Sequence, residues 1–287
     1  MKAGSEVCAM RQDSDTRRAA SDDAPGPHPV TVHGHFGEWL QGRLGPDGPV
    51  ALVTLACTAL AVRTVDGPGE APVFSHAVLR SFAERLKVAP DWPGIERDMP
   101  LGAGAGASTA TLVALARSAV FRGDADTLAA ACVAAEGASD PLMHAHPDRL
   151  LWASRQGRVL RRLPPPPSVE IVGGFWGPPL PTRAEDESFA DVADLVVRWT
   201  SACETADPVA AARVARDSAE RCVDLRGPAD DPMPALAQAC GAAGYLRAHT
   251  GSARGLVFAP GRVPRHAEAA LAEAGLTGVL RFATGGV

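Results

Sequence analysis

Apolar residues recur at two spacings along this chain, and the spacing changes from segment to segment. Runs rich in branched residues at 50–56, 58–65, 158–163 and 168–172 predict strands. Apolar positions three and four residues apart predict helices at 75–88, 111–121, 126–136, 189–203, 208–225, 233–243 and 264–274. A strand, turn and strand follow within 246–258, and a last strand is predicted at 278–282. Because the elements lack a regular βαβ alternation, the pattern predicts an α+β fold.

Four consecutive prolines at 164–167 interrupt this pattern. Prolines donate no backbone hydrogen bond and favour an extended chain, so the run is either a stiff surface loop or a junction between domains. Since the pattern changes after them, we expect an N-terminal domain at 30–165 and a C-terminal domain at 166–287. Residues 1–29 carry mixed charges, prolines and few large apolar side chains, which predicts a disordered tail.

Composition limits the function classes. The formal net charge of −5 argues against nucleic acid as the main partner. No apolar run is long enough to cross a membrane, and the N-terminal segment lacks the apolar centre of a signal peptide. The cysteines form no CxxC pair, which predicts free thiols in a reducing, cytoplasmic compartment. They are Cys8, Cys57, Cys132, Cys203, Cys222 and Cys240.

The most informative segment is glycine-rich and runs directly into a predicted helix. It reads Pro100-Leu-Gly-Ala-Gly-Ala-Gly-Ala-Ser-Thr-Ala110. Glycines let a phosphate approach the backbone, and a helix start presents amides and a partial positive charge, so the segment predicts a triphosphate cradle. The alternative is an alternation produced by composition alone, because the chain is rich in Gly and Ala. No Gly-Lys-Ser/Thr follows, which excludes a Walker A loop, and the spacing fits a dinucleotide fingerprint poorly.

Two carboxylates follow at the end of the next predicted helix. Glu136 ends that helix, Gly137 suits the left-handed position after it, and Asp140 precedes a proline. Two unpaired carboxylates in an apolar cleft would repel each other, and a divalent cation or a substrate proton would relieve that repulsion. By itself the segment also fits a solvated helix end and a turn. Beside a phosphate loop it favours Mg²⁺, which takes one or two carboxylates plus phosphate oxygens.

The segment 33–42 places Glu38 and Gln41 near two glycines. His33 and His35 alternate in it, so they would share one face of a strand. A zinc site there would need a third ligand, and no other residue has a suitable spacing.

The segment 247–258 surrounds Gly251 with His249, Thr250 and Ser252 in a predicted strand-to-strand loop. Small hydroxyls around a glycine fit either the lining of a ligand pocket or an ordinary turn. Both interpretations are open from the residues alone.

In order and approximate spacing these four segments resemble the GHMP kinase superfamily, which includes galactokinase, homoserine kinase and mevalonate kinase. The central loop is similar to the superfamily's Pro-x-x-x-Gly-Leu-Gly-Ser-Ser-Ala-Ala, with Gly104, Gly106, Ser108 and Ala110 matching. The resemblance is closer to the propanediol-utilization type of L-threonine kinase, which serves cobalamin side-chain synthesis. It covers about 30–287 and also rests on Phe36-Gly-Glu-Trp-Leu-Gln-Gly42, Ser108-Thr-Ala110, Glu136-Gly-Ala-Ser-Asp140, Ala248-His-Thr-Gly251 and Gly285-Gly286.

The resemblance implies a two-domain architecture, with a ribosomal-S5-domain-2-like N-terminal domain, a ferredoxin-like C-terminal domain and ATP between them. It implies an ATP- and Mg²⁺-dependent phosphotransferase whose acceptor is the side-chain hydroxyl of an amino acid, foremost L-threonine. Homoserine, a serine derivative or a sugar as acceptor, and a non-catalytic nucleotide or metabolite sensor, stay open as alternatives. We expect a small-molecule partner, neither nucleic acid nor membrane, and leave a homodimer open.

The resemblance also implies roles for individual residues. The expected ATP contacts are Pro100, Gly102, Ala103, Gly104, Ala105, Gly106, Ala107, Ser108 and Thr109. The expected acceptor contacts are Glu38, Gln41, His249, Thr250, Gly251 and Ser252. Ser108 and Glu136 would hold Mg²⁺, and Asp140 would orient the acceptor hydroxyl or take its proton, which makes Ser108 and Asp140 the expected catalytic residues.

The sequence departs from the family pattern at four places. Ala107 stands where the family has the first serine of its Ser-Ser pair, and Thr111 stands where it has an aspartate. Gly137 replaces the proline of the acidic segment, and His33-Gly-His35 replaces the usual Pro-x-x. Ala107 removes one possible phosphate contact, and the histidine segment is compatible with a different acceptor.

Overall fold

The computed structural model describes residues 29–70, 73–179 and 186–286. The predicted tail at 1–29 therefore lies outside the described residues, apart from its last residue. The strands are β1 (Thr31–Arg43), β2 (Val50–Val65), β3 (Gly94–Arg97), β4 (Leu150–Ala153), β5 (Arg158–Arg162), β6 (Val169–Phe175), β7 (Gly244–Arg247), β8 (Ala253–Phe258) and β9 (Thr277–Thr284). The helices are α1 (His76–Leu86), α2 (Ala107–Ser118), α3 (Ala125–Glu136), α4 (Ala193–Glu204), α5 (Pro208–Arg226), α6 (Met233–Cys240) and α7 (Ala267–Glu273).

All of these strands join one sheet in the order β5-β4-β2-β1-β7-β8-β6-β9, with β3 paired to β2. The pairs are antiparallel, and helices pack against the sheet, which confirms the predicted α+β class. The two halves of the sequence meet where Glu38 of β1 lies opposite Arg247 of β7. The domain boundary between residues 165 and 166 stays a prediction.

The strands predicted at 50–56 and 58–65 are one continuous strand, β2. Gly34 of β1 lies opposite Cys57 while His33 lies opposite Ala61, so residues 58–60 of β2 form a bulge in the ladder without ending the strand. The helix predicted from 189 begins only at Ala193, because the segment before it pairs with the end of β1 through Arg43 and Asp191.

The main core lies between the sheet and its helices. Trp39 of β1 and Trp199 of α4 are both fully buried, with ring centroids 4.8 Å apart. A second cluster joins β7 and β8 to α6 and α7 through Tyr245, Leu256 and Leu271. The prolines 166 and 167 are buried, so the run is not wholly a surface loop.

Two helix ends, the N-terminus of α2 and the C-terminus of α3, position the candidate site described below. The N-cap of α2 is Gly106, with φ of 77°, and no side chain caps the helix there. The first-turn amides of α2 are therefore left without a side-chain acceptor. Helix α3 ends at Glu136, and Gly137 follows it as the C-cap. Gly137 has φ of 82°, the left-handed conformation predicted for the residue after this helix.

The described cysteines are all buried free thiols, in agreement with the absence of a disulfide framework predicted from their spacing. Within the described ranges no helix is long and apolar enough to cross a bilayer.

Candidate active site

A cavity of about 280 Å³ lies where the glycine-rich segment meets α2. All of the predicted ATP contacts except Ala103 line this cavity. They are Pro100, Gly102, Gly104, Ala105, Gly106, Ala107, Ser108 and Thr109. Glu136 and Asp140 line it from the bend after α3, and Glu38, Gln41 and Thr250 line it from the predicted acceptor set. Four distant stretches of sequence thus converge on one cavity.

The backbone of the glycine-rich segment has a consistent orientation. Its carbonyls at Ala103, Gly104 and Ala105 face the sheet, where they accept hydrogen bonds of 2.8, 3.0 and 3.1 Å from the amides of Ala253, Gly37 and His35. The amides of residues 102–109 donate to no acceptor within the described part of the chain. A row of free amides beside a helix start is an anion-binding arrangement.

Close packing fixes this segment in place. Both Gly104 and Gly106 have positive φ, 75° and 77°. A Cβ on Gly104 would lie 2.2 Å from the Cβ of Ala248, and one on Gly106 would lie 2.6 Å from His35 Cδ2. The segment therefore needs glycine at both positions, for conformation and for space.

The side chains of Ser108 and Thr109 connect the start of α2 to the end of α3. Ser108 Oγ donates to Glu136 Oε2 at 2.5 Å, and Thr109 Oγ1 donates to Glu136 Oε1 at 2.6 Å. Thr109 Oγ1 also accepts from the backbone amide of Asp140 at 3.2 Å. Burial raises the pKa of Glu136 to about 8, and the two hydroxyl hydrogen bonds offset only part of that effect.

Asp140 faces a buried histidine at the cavity. Its Oδ2 lies 3.1 Å from Nε2 of His35, a residue only 2% exposed. Burial lowers the pKa of His35, but the nearby carboxylates of Asp140 and Glu38 outweigh it and raise the pKa to about 9. The raised pKa favours the imidazolium form, which at this distance would form an ion pair with the Asp140 carboxylate.

His249 lies behind the cavity wall rather than on it. Its Nδ1 is 3.9 Å from Glu38 Oε2. Burial lowers the pKa of His249, while the proximity of Cys222 and Glu38 raises it to about 9. Gly251 supports the glycine-rich segment, since a Cβ there would lie 2.3 Å from the backbone of Ala103 and Gly104.

The oxygen atoms where the start of α2 meets the end of α3 are suitable ligands for a hard cation. Ser108 and Glu136 present a hydroxyl and a carboxylate oxygen beside the free amides. Among the residues described, no group of three or more His, Cys, Asp or Glu could hold a metal ion by itself. This combination fits Mg²⁺, which completes its coordination with phosphate oxygens and water instead of a full protein cage.

No family model and no curated protein sequence matches this chain. Solved structures do match it. The phosphomevalonate kinase from Streptococcus pneumoniae superposes with a TM-score of 0.60 at 10% identity, over 90% of this chain and 99% of that one. A putative homoserine kinase from Listeria monocytogenes gives 0.55 at 15% identity, over 90% and 96%. The mevalonate pyrophosphate decarboxylase from Streptococcus pyogenes gives 0.51 at 12% identity, over 92% and 98%.

This chain has the GHMP kinase fold. At such low identity the comparisons show the fold, and the proteins that share it include a decarboxylase beside the kinases. The chemistry of this chain therefore has to be argued from its own residues within the GHMP kinase fold.

Some predicted contacts lie outside the cavity lining. Ala103 is buried beneath the glycine-rich segment, and His249, Gly251 and Ser252 are buried behind the wall. The predicted shared face of His33 and His35 is wrong: His33 is exposed and His35 buried, because β1 shifts register directly after His33.

Sequence reasoning missed three polar residues of the site in this GHMP kinase fold. The sequence suggests His35 as a possible metal ligand or as part of a segment compatible with a different acceptor, whereas the structure places it against Asp140. Ser139 and Ser154 also line the cavity, and the carbonyl of Ser139 accepts a 2.7 Å hydrogen bond from Trp152 Nε1 that fixes the acidic bend. The position of His35 three residues before Glu38 was the one available signal.

Proposed function

We propose that this protein is an ATP-dependent small-molecule kinase that phosphorylates the side-chain hydroxyl of an amino acid, with L-threonine as the acceptor and O-phospho-L-threonine as the product. One observation carries the proposal. A single cavity is lined both by the glycine-rich segment, whose backbone amides at residues 102–109 are free, and by the carboxylates of Glu136 and Asp140. Phosphoryl transfer depends on anion binding and charge neutralisation, and a nearby carboxylate can in addition accept the proton of the acceptor hydroxyl.

In this proposal the amides of the glycine-rich segment bind the triphosphate of ATP. They are fixed by the carbonyls that face the sheet, so they need little reorganisation when an anion arrives. Ser108 and Glu136 would hold Mg²⁺, which neutralises charge on the phosphates when bound.

Asp140 is the group placed to act on the acceptor. It lines the cavity, is 24% exposed, and is oriented by His35 and by its backbone hydrogen bond to Thr109. The acceptor oxygen forms a bond to the terminal phosphorus, the bond to the ADP oxygen breaks, and the hydroxyl proton passes to the Asp140 carboxylate. A positioned acid/base group contributes roughly 10²–10⁴-fold in rate.

Glu38 and Gln41 support an amino acid as the acceptor. Both line the cavity, where the carboxylate of Glu38 can pair with an ammonium group. One methyl group is worth only ~1–3 kcal/mol of discrimination, so homoserine and serine derivatives are the competing acceptors, with sugars a further class.

A nucleotide or metabolite sensor on the same fold is the alternative function class, motivated by the departures at Ala107 and Thr111. Thr111 is buried within α2, where its hydroxyl donates to the carbonyl of Ala107 at 2.7 Å. Thr111 does not line the cavity. The presence of threonine in place of the family's aspartate therefore does not argue against a catalytic function for this protein.

The test is acceptor-dependent ADP release by the purified protein with ATP and Mg²⁺. The acceptor panel comprises L-threonine, L-serine, L-homoserine and a set of sugars. We expect ADP release that depends on a hydroxy-amino acid and is fastest with L-threonine. ATP binding without acceptor-dependent ADP release would support the sensor, and release with sugars alone would overturn the amino-acid assignment.

A further inference from the structure

Four titratable side chains, three of them buried, form a row that begins at the cavity and continues behind its wall. Asp140 Oδ2 lies 3.1 Å from His35 Nε2, and His35 Nδ1 lies 3.9 Å from Glu38 Oε1. Glu38 Oε2 lies 3.9 Å from His249 Nδ1. Carboxylates and imidazoles alternate along this row, so protonated imidazoles would give alternating charges.

The inner part of the row is buried and poorly hydrogen bonded. The side chains of His35, Glu38 and His249 are 2%, 7% and 5% exposed. Glu38 Oε2 and His249 Nδ1 have no hydrogen-bond partner among the described residues. A buried carboxylate oxygen and a buried ring nitrogen without partners each depend on the charge of the other.

The row joins distant parts of the sequence. Asp140 follows α3, His35 and Glu38 lie on β1, and His249 follows β7. A register shift between His35 and Glu38 turns both side chains toward the same region, although three residues separate them. The contact between β1 and β7 then places His249 against Glu38.

The other groups facing the row are few. His35 Nδ1 also lies 3.2 Å from the carbonyl of Gly37. On the far side of His249, the Cys222 thiol of α5 lies 4.0 Å from the His249 carbonyl. Arg247 is directed to Asp231 and to the carbonyl of Gly227, so its charge is paired elsewhere.

We propose that Glu38 and His249 are positioning residues for Asp140: the Glu38 carboxylate lies between two buried imidazoles and holds both protonated, so that His35 presents a fixed positive charge to the Asp140 carboxylate. Only the link from this row to catalysis rests on the proposed function. The charged row itself can be tested without any activity.

The arrangement also explains why two buried histidines carry charge at all. Burial lowers the pKa of each; Asp140 and then Glu38 raise that of His35 to about 9, whereas Cys222 and then Glu38 raise that of His249 to about 9. Glu38 is the one carboxylate in the row that faces both rings. Removing its charge should therefore affect both histidines, whereas removing His249 should relieve a like-charge repulsion on His35.

The first test is an NMR titration of the histidine rings in the full chain, in the wild type and in the Glu38→Gln and His249→Gln variants. In Glu38→Gln we expect the midpoints of both His35 and His249 to fall by at least about one pH unit. In His249→Gln the midpoint of His35 should stay or rise. His33→Gln, at an exposed position on the same strand, is the matched control and should leave both midpoints in place.

An unchanged His35 midpoint in Glu38→Gln, or a fall in His249→Gln, would overturn the proposal. If Glu38→Gln fails to fold, the sign of the His35 shift in His249→Gln still decides between the outcomes. The titration measures the protonation of His35 and His249 and needs no enzymatic activity. A negative result would therefore overturn the charged row without bearing on whether the protein is a kinase.

The second test is the pH profile of acceptor-dependent ADP release. A positioning role predicts that kcat declines on the alkaline side as His35 loses its proton, and that this decline moves by at least about one pH unit toward neutral pH in Glu38→Gln. The measurement is made at saturating acceptor, because Glu38→Gln should also raise the KM for an amino acid whose ammonium group Glu38 binds. An alkaline midpoint of kcat that does not move, whatever the change in KM, would contradict the positioning role assigned to Glu38.

Discussion

Ser108 Oγ lies 2.5 Å from Glu136 Oε2, although 28 residues separate the two in sequence. This hydrogen bond joins the first turn of α2 to the last residue of α3, and it lies on the wall of the cavity that the glycine-rich segment forms. A hydroxyl and a carboxylate oxygen are thus brought next to free backbone amides, which is the arrangement on which the proposed chemistry depends.

Replacing Glu136 with Gln should reduce Mg²⁺-dependent kcat by at least about 10²-fold, because the amide removes the charge that would hold the cation. Steady-state ADP release measures the effect. Asp126→Asn, at an exposed position on the same helix, is the matched control and should retain activity. A near-normal kcat in Glu136→Gln would rule out the metal role.

Asp140→Asn should lower kcat by roughly 10²–10⁴-fold while leaving ATP affinity within about twofold, because asparagine keeps the shape but cannot accept the proton. Steady-state kinetics and calorimetric titration with ATP separate the two quantities. If kcat stayed close to the wild-type value, the acceptor hydroxyl would need no base, and Asp140 would retain at most an orienting role.

Gly104→Ala should destabilise the protein and weaken ATP binding. Gly45→Ala is a matched control, because Gly45 has φ of 82° with nothing within 4 Å of the added Cβ, whereas at Gly104 the Cβ of Ala248 lies 2.2 Å away. We expect about 1–2 kcal/mol of conformational strain in both variants. Gly104→Ala should lose about 1–3 kcal/mol more through overpacking.

Urea unfolding measures these differences, and ATP titration tests the effect on binding. Equal losses of stability in the two variants would show that the glycine-rich segment is not fixed by its contact with Ala248.

Stability should fall at alkaline pH. His35 and His249 both have a pKa raised from 6.5 to about 9 in the folded state. A raised pKa means that the folded state binds the proton more tightly, so the stabilisation is complete below about pH 6.5 and is lost as the pH rises through about 9. The free energy of unfolding, measured across this range, should decline, and the decline should be smaller in His35→Gln. A stability that rises over this range would contradict the ion pairs.

Local sequence patterns predicted most of the fold. The helices α1, α3 and α5 and the strands β5, β6, β8 and β9 follow from the spacing and the type of apolar residues. The short strands β3 and β4 were not predicted, and only the last two residues of β7 fall within the predicted segment 246–258, because four residues carry too little periodicity to recognise. The order of strands in the sheet depends on pairings between distant residues such as Glu38 and Arg247, which no local pattern specifies.

The site was predictable in part. The glycine-rich segment and the acidic bend carry distinctive residue types, and the structure places both on one cavity. The role of His35 was not predictable, because alternation along β1 fails at a register shift and because its partner Asp140 is 105 residues away. The burial of His249 behind Glu38 likewise depends on the contact between β1 and β7.

The most direct test of phosphoryl transfer is phosphorus NMR of a mixture of this protein, ATP, Mg²⁺ and L-threonine. We expect a phosphate monoester signal that grows in step with ADP, that comigrates with authentic O-phospho-L-threonine, and that is absent with Asp140→Asn. Bound ATP that stays intact, or ATP that yields only ADP and inorganic phosphate with every hydroxy-amino acid offered, would contradict the account.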